Sequence, residues 1–125
     1  MKNFKIAFIL LLILTSCGKE KNCSKFKTGT FVYQVQDGQV EIIRTESSQH
    51  EVNPTTGVEI YSKVEWTSDC EYILTYEEVL NHSSDVSSVI GTKIYVEIIE
   101  TEGNKFKVRA KSDVMDDVFE LQKRE

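Results

Sequence analysis

From residue 30 onward the chain alternates between apolar and polar positions. In Lys105-Phe106-Lys107-Val108-Arg109-Ala110-Lys111, Phe106, Val108 and Ala110 project to one side and four cations to the other. Successive side chains of a strand point to opposite faces, so this is a strand with one dry and one wet face, as in an antiparallel sheet. Residues 58–66 repeat the pattern, with Val58, Ile60, Val64 and Trp66 on the dry side. Cys70, Tyr72, Leu74 and Tyr76 share a face opposite Glu71, Thr75 and Glu77, and Ile94, Val96 and Ile98 form another set. No stretch of this region carries the 3.6-residue stripe of an amphipathic helix.

Turn signals fall between the alternating runs. Asp37-Gly38 is a hairpin signal. Asn53-Pro54-Thr55-Thr56-Gly57 holds the only proline, Ser68-Asp69 precedes Cys70, and Glu102-Gly103-Asn104 joins two long runs. The reading gives eight strands: 30–36, 39–46, 49–53, 58–67, 70–79, 92–101, 104–112 and 118–123. Leu80–Gly91 breaks the rhythm; it is serine-rich and reads as a short helical turn or a loop. Eight strands on short turns predict an all-β, antiparallel up-and-down meander. It closes into a small barrel, stacks as a β-sandwich or forms an open curved sheet. Closure is favoured because it removes exposed edges. Gly29-Thr30-Phe31, where the first strand opens, resembles the start of lipocalin-like barrels, and that resemblance implies a lipocalin-like small barrel here.

The amino-terminal segment has a different pattern. Lys2 and Lys5 precede an unbroken apolar run from Ile6 to Leu14. Nine residues make about 14 Å of helix, less than half of a hydrocarbon core of about 30 Å. The run therefore reads as a signal-peptide core, not a membrane span. It ends in Leu14-Thr15-Ser16-Cys17, which resembles the bacterial lipobox. The resemblance implies cleavage before Cys17 and lipidation of Cys17, palmitate among its acyl chains. Two or three chains, at about 0.8 kcal/mol per buried methylene, anchor stably. The organisation expected is a signal peptide at 1–16, a lipidated tether at 17–22 and a single β domain at 23–125. Five residues between Cys17 and Cys23 reach about 17 Å when extended, so the domain sits close to the bilayer. The expected location is the bacterial cell envelope, on the outer membrane facing the periplasm, with surface exposure as the alternative.

Composition sharpens this picture. The chain has 15 basic and 20 acidic residues, a formal charge of -5. Without residues 1–16 the balance is 13 against 20, or -7. A partner held through phosphates needs a lysine or arginine for each neutralised charge, so nucleic acid is excluded. Of three cysteines one is the lipid site, leaving Cys23 and Cys70. In an oxidising compartment an even pair reads as a disulfide, with free thiols, a redox pair or a metal site as alternatives. No CxxC is present and neither cysteine has a histidine within ten residues.

Three blocks resemble a family of short, uncharacterised bacterial lipoproteins: Cys23–Phe31, Asn53–Glu59 and Val64–Leu74. The resemblance covers most of residues 17–123 and implies no activity and no site residues. Some members of that family carry the label DNA topoisomerase IV. Such an enzyme needs a tyrosine nucleophile, metal-binding carboxylates and a basic groove spread over many hundred residues, whereas this chain is short and acidic.

No constellation of catalytic type stands out. His50 and His82 lie far apart, one in a polar strand and one in the serine-rich segment, and both read as exposed and idle. Asp113, Asp116, Asp117 and Glu120 lack the central glycine of a calcium loop and read as a solvated turn, so neither metal nor cofactor is expected. Glu77 and Glu78 are expected on opposite faces of a strand. The aromatics on inward faces fill a small barrel, or else Tyr33, Trp66, Tyr72 and Tyr76 line a mouth for an apolar or aromatic ligand. The function expected is a non-catalytic, monomeric, lipid-anchored binding module for a small apolar molecule or an envelope protein. The alternatives are a structural or inhibitory module, with the cationic face of Lys105–Lys111 as its surface, and a small hydrolase-type enzyme.

Overall fold

A computed structural model describes residues 20–36 and 38–124. The leader, the lipobox with Cys17, and Asp37 of the hairpin signal lie outside the described residues. The described chain forms eight antiparallel strands in sequence order, and the last pairs with the first to close a barrel. They are β1 (Gly29–Val35), β2 (Gly38–Arg44), β3 (Ser48–Val52), β4 (Glu59–Ser68), β5 (Glu71–Leu80), β6 (Lys93–Glu102), β7 (Lys105–Lys111) and β8 (Asp116–Lys123). The expected strands are all present. The largest boundary differences are two residues: β2 ends early, at Arg44, and β8 starts early, at Asp116. Of the three architectures left open by the alternation, the chain adopts the closed one.

Burial follows the alternation. Ile94, Val96 and Ile98 in β6 and Phe106, Val108 and Ala110 in β7 all face inward and are buried. Three register shifts interrupt the ladders. Ser62 pairs with Tyr76 while Tyr61 pairs with Glu78, which leaves Glu77 as the extra residue. Glu77 and Glu78 are therefore both exposed, not on opposite faces as simple alternation requires. A second shift leaves Thr67 unpaired between Trp66 and Ser68, and a third leaves Ile99 unpaired between Ile98 and Glu100. The closing seam is short: Phe31 pairs with Lys123 and Val32 with Gln122. It is extended by Arg124 N–H donating to the Thr30 carbonyl at 2.8 Å.

A single-turn 3-10 helix, Cys23–Phe26, precedes β1 and plugs one end of the barrel. Phe26 is fully buried, with its ring 4.2 Å from that of Phe106 and 6.5 Å from that of Phe31. Each such ring contributes about 1.5–3 kcal/mol of apolar burial. The Cys23–Cys70 disulfide, Cα–Cα 5.3 Å, fastens the plug to the β4–β5 turn. Lys25 Nζ donates to the Gly103 carbonyl, tying it to the β6–β7 turn, and Lys123 Nζ donates to the Lys25 carbonyl. The plug, the β2–β3, β4–β5 and β6–β7 turns and the end of β8 therefore make up the closed end.

The opposite end carries the β1–β2, β3–β4, β5–β6 and β7–β8 connections. The first two approach closely. At Gly38, φ is +147° and a Cβ would meet Thr55 Oγ1 at 2.6 Å, so only glycine fits without displacing the second loop. The serine-rich β5–β6 connection holds a short 3-10 turn, Ser87–Val89.

Candidate functional site

The barrel is filled at its closed end and hollow above it. The hollow measures about 250 Å³ and is lined by side chains from all eight strands. Ile42, Leu74, Ile94, Val96, Val108 and Leu121 form its apolar wall. Ile60, Ala110, Met115 and Phe119 line its upper part, toward the open end. Its volume lies just under the range of about 300–1,000 Å³ common for small-molecule sites.

Three polar side chains line the lower half. Arg44 ends β2 beside the plug and is 2% exposed. Three of its five N–H donors go to neutral acceptors. Nε donates to Gln49 Oε1 at 2.8 Å, Nη1 to the Phe26 carbonyl at 2.8 Å and Nη2 to the Tyr72 hydroxyl at 2.9 Å. The Phe31 and Tyr72 ring centroids lie 4.9 and 4.6 Å from Arg44 Cζ, cation–π distances. Arginine suits this place because its planar fork reaches three acceptors at once.

Gln49 links Arg44 to an acid. Its Nε2 donates to Glu51 Oε1 at 3.3 Å. Gln49 and Glu51 are two apart on β3, so both project inward, Glu51 one layer nearer the mouth. Glu51 forms no ion pair among the described residues, and its second oxygen takes no hydrogen bond there. Burial raises its carboxyl above the ordinary carboxylate range, while the Arg44 charge and the Gln49 hydrogen bond pull the other way.

Tyr33 and Tyr76 complete this region. Burial raises both phenols, and the Glu51 charge raises them further. Neither hydroxyl makes a hydrogen bond among the described residues. Burial also raises Tyr72, against the pull of the Arg44 charge.

Of the four aromatics expected at a ligand mouth, Tyr33, Tyr72 and Tyr76 line this cavity. Tyr72 sits at its floor rather than its mouth. Trp66 is not part of the lining. It packs at the closed end, with its ring 4.6 Å from Tyr72 and Lys27 Nζ 5.3 Å above it. Its Nε1 is buried without a hydrogen-bond partner among the described residues. The polar trio of Arg44, Gln49 and Glu51 was not singled out by sequence reasoning. Its only signal is a two-residue spacing across Gln49 and Glu51 that continues from Arg44 through a tight turn.

The remaining candidates lie outside the cavity. His50 is on the outer face of β3, half-buried and not idle. Its Nε2 lies 3.0 Å from Glu59 Oε1, and its ring stacks on Tyr61 at 4.2 Å with an interplanar angle of 11°. His82 is exposed in the β5–β6 connection, where its Nδ1 accepts from Ser84 N–H. Asp116 is held by Arg109 through two hydrogen bonds of 2.9 Å. No group of three or more potential metal ligands occurs among the described residues. The outward cations of β7 do not form an uninterrupted basic face. Lys107 pairs with Glu100 at 3.6 Å and Arg109 with Asp116, so acids of β6 and β8 flank them. Comparison of the chain with protein-family models, curated proteins and solved structures finds no match.

Proposed function

We propose that this is a lipid-anchored protein of the bacterial cell envelope whose barrel binds a small, largely apolar molecule without transforming it. The observation that carries this reading is the cavity itself. A barrel of eight strands is just wide enough to be filled by its own side chains, yet about 250 Å³ is left unfilled here. Its wall is mostly aliphatic and aromatic, with a few convergent polar groups, the composition of a site that holds an apolar body in one orientation. Among the described residues no serine, cysteine or histidine lines it, which favours binding over a nucleophilic reaction of those groups. The His50–Glu59 pair faces away from this space.

The anchoring part of the reading rests on the lipobox-like Leu14–Cys17 segment and the short stretch to the Cys23 staple. Mass spectrometry of the mature chain tests it, with a diacylglyceryl-modified Cys17 as the expected result. The binding part is tested by methyl NMR of the full chain in lipid nanodiscs, titrated with 2-phenylethanol. Saturable shifts are expected at Leu74, Ile94, Val108 and Met115. Shifts confined to the outer-face Ile43 and Val118, or none, would remove the cavity as the binding site.

A further inference from the structure

Resting on the cavity-binding reading, we propose that the cavity selects small organic cations, apolar molecules bearing a protonated amine, with the ammonium placed against Glu51 between Tyr33 and Tyr76.

Two charged side chains line the cavity, and they differ in what they have left to offer. Arg44 is largely committed to the fold: three of its five N–H donors go to Gln49, Phe26 and Tyr72, and two rings lie against it. An anionic ligand would have to pass Glu51 to reach the donors that are left at the floor. Glu51 is the opposite case. Its one hydrogen bond comes from the Gln49 amide at 3.3 Å, and its other oxygen has no partner among the described residues. A carboxylate taken from water into apolar surroundings without a cation is costly, and such a group tends to stay protonated instead. The direction of the Glu51 carboxyl agrees with this.

An ammonium supplies what the site lacks. It forms a charge-assisted hydrogen bond to the free oxygen, stronger than a neutral one. Tyr33 and Tyr76 line the same cavity, and aromatic rings of this kind attract a cation through their quadrupoles. Where Glu51 is protonated in the empty site, amine binding releases that proton to solvent, and the complex contains a carboxylate facing an ammonium. The groups facing Glu51 are Arg44 from β2, Tyr33 from β1, and Tyr72 and Tyr76 from β5. Burial raises all three phenols, so Glu51 is the group whose carboxyl ionises first as pH rises. Amine affinity should therefore rise with pH through the range where Glu51 ionises, while the affinity for a neutral analogue stays flat.

The test compares phenethylamine, 2-phenylethanol and 3-phenylpropionate on the full chain in nanodiscs, reading the cavity methyls by NMR. The amine is expected to bind at least about tenfold tighter than the alcohol, which is about 1.4 kcal/mol, and the propionate weakest. Glu51→Gln should bring the amine to within about threefold of the alcohol, with alcohol binding retained as evidence of an intact cavity. Propionate binding above the amine, or an amine preference that survives Glu51→Gln, would overturn the proposal and leave the cavity-binding reading standing. Failure of all three molecules to shift the cavity methyls would overturn both.

Discussion

Arg44 and Gln49 face each other across the β2–β3 ladder, and the Arg44 Nε donates to the Gln49 side-chain Oε1 at 2.8 Å with both residues almost fully buried. This contact joins the plug to the cavity, because the same guanidinium holds the Phe26 carbonyl and the Tyr72 hydroxyl. Arg44→Met fills much of the volume but leaves three acceptors without donors. The expected loss is at least about 3 kcal/mol, read from urea denaturation. Arg44→Lys should recover less than half of it, because a single ammonium cannot reproduce the three-way fork. Full recovery by lysine would show that charge alone matters at this position.

The plug offers an independent check. Phe26→Ala removes a fully buried ring packed against Phe106 and should cost about 3–5 kcal/mol. Removing the Cys23–Cys70 staple by double serine substitution should cost about 4 kcal/mol, since it closes a sequence separation of 47. Amide exchange at residues 23–27 should accelerate more than exchange in β6 and β7. Uniform acceleration across the chain would mean the plug does not open before the barrel.

Glu51 gives the fold a pH dependence with a definite sign. Its proton is held more tightly in the folded chain than in the unfolded one. Such a group contributes stability that is fully present below the ordinary carboxylate range and lost as pH rises through the raised folded value. Glu51→Gln removes the ionisation and keeps a neutral group beside Gln49. At pH above the ordinary carboxylate range it is expected to raise the melting temperature, and below that range to change it little. A lower melting temperature at neutral pH would mean that the Arg44 charge outweighs burial at this carboxyl.

The His50–Glu59 contact lies on the outer face, and both side chains keep about a quarter of their surface in water, 26% and 28%. Cross-strand pairs of this kind contribute about 0.2–1 kcal/mol. His50→Ala should therefore cost under about 1 kcal/mol by thermal melting and leave 2-phenylethanol affinity unchanged. A large loss of ligand affinity would bring His50 back into the functional site.

The alternation of apolar and polar residues was enough to place all eight strands, because one face of each packs inside. Phe106, Val108 and Ala110 show why: a period of two over seven residues admits little else. The same rule hid the cavity's polar trio. In Ser48–Val52 both faces are polar, so alternation assigns neither to the inside, and only the register of Arg44 opposite Gln49 decides it. Trp66 illustrates a second limit. Its inward face was legible, but its height along the barrel was not. Height depends on how far each strand runs beyond its neighbour, and Trp66 falls near the closed end beside the Ser68 turn. The plug escaped notice because four residues are too short to show a helical period.

An even number of strands returns the chain to the pole where it entered. Asn22 N–H meets Thr101 Oγ1, and Lys123 meets the carbonyl of Lys25, so both ends of the described chain emerge at the plugged pole. The four loops at the other pole are thereby released from any duty of attachment. Their lengths and residues can change to reshape the rim without disturbing the plug or either end of the described chain, so variation of the rim and preservation of the base fall to opposite poles of one small barrel.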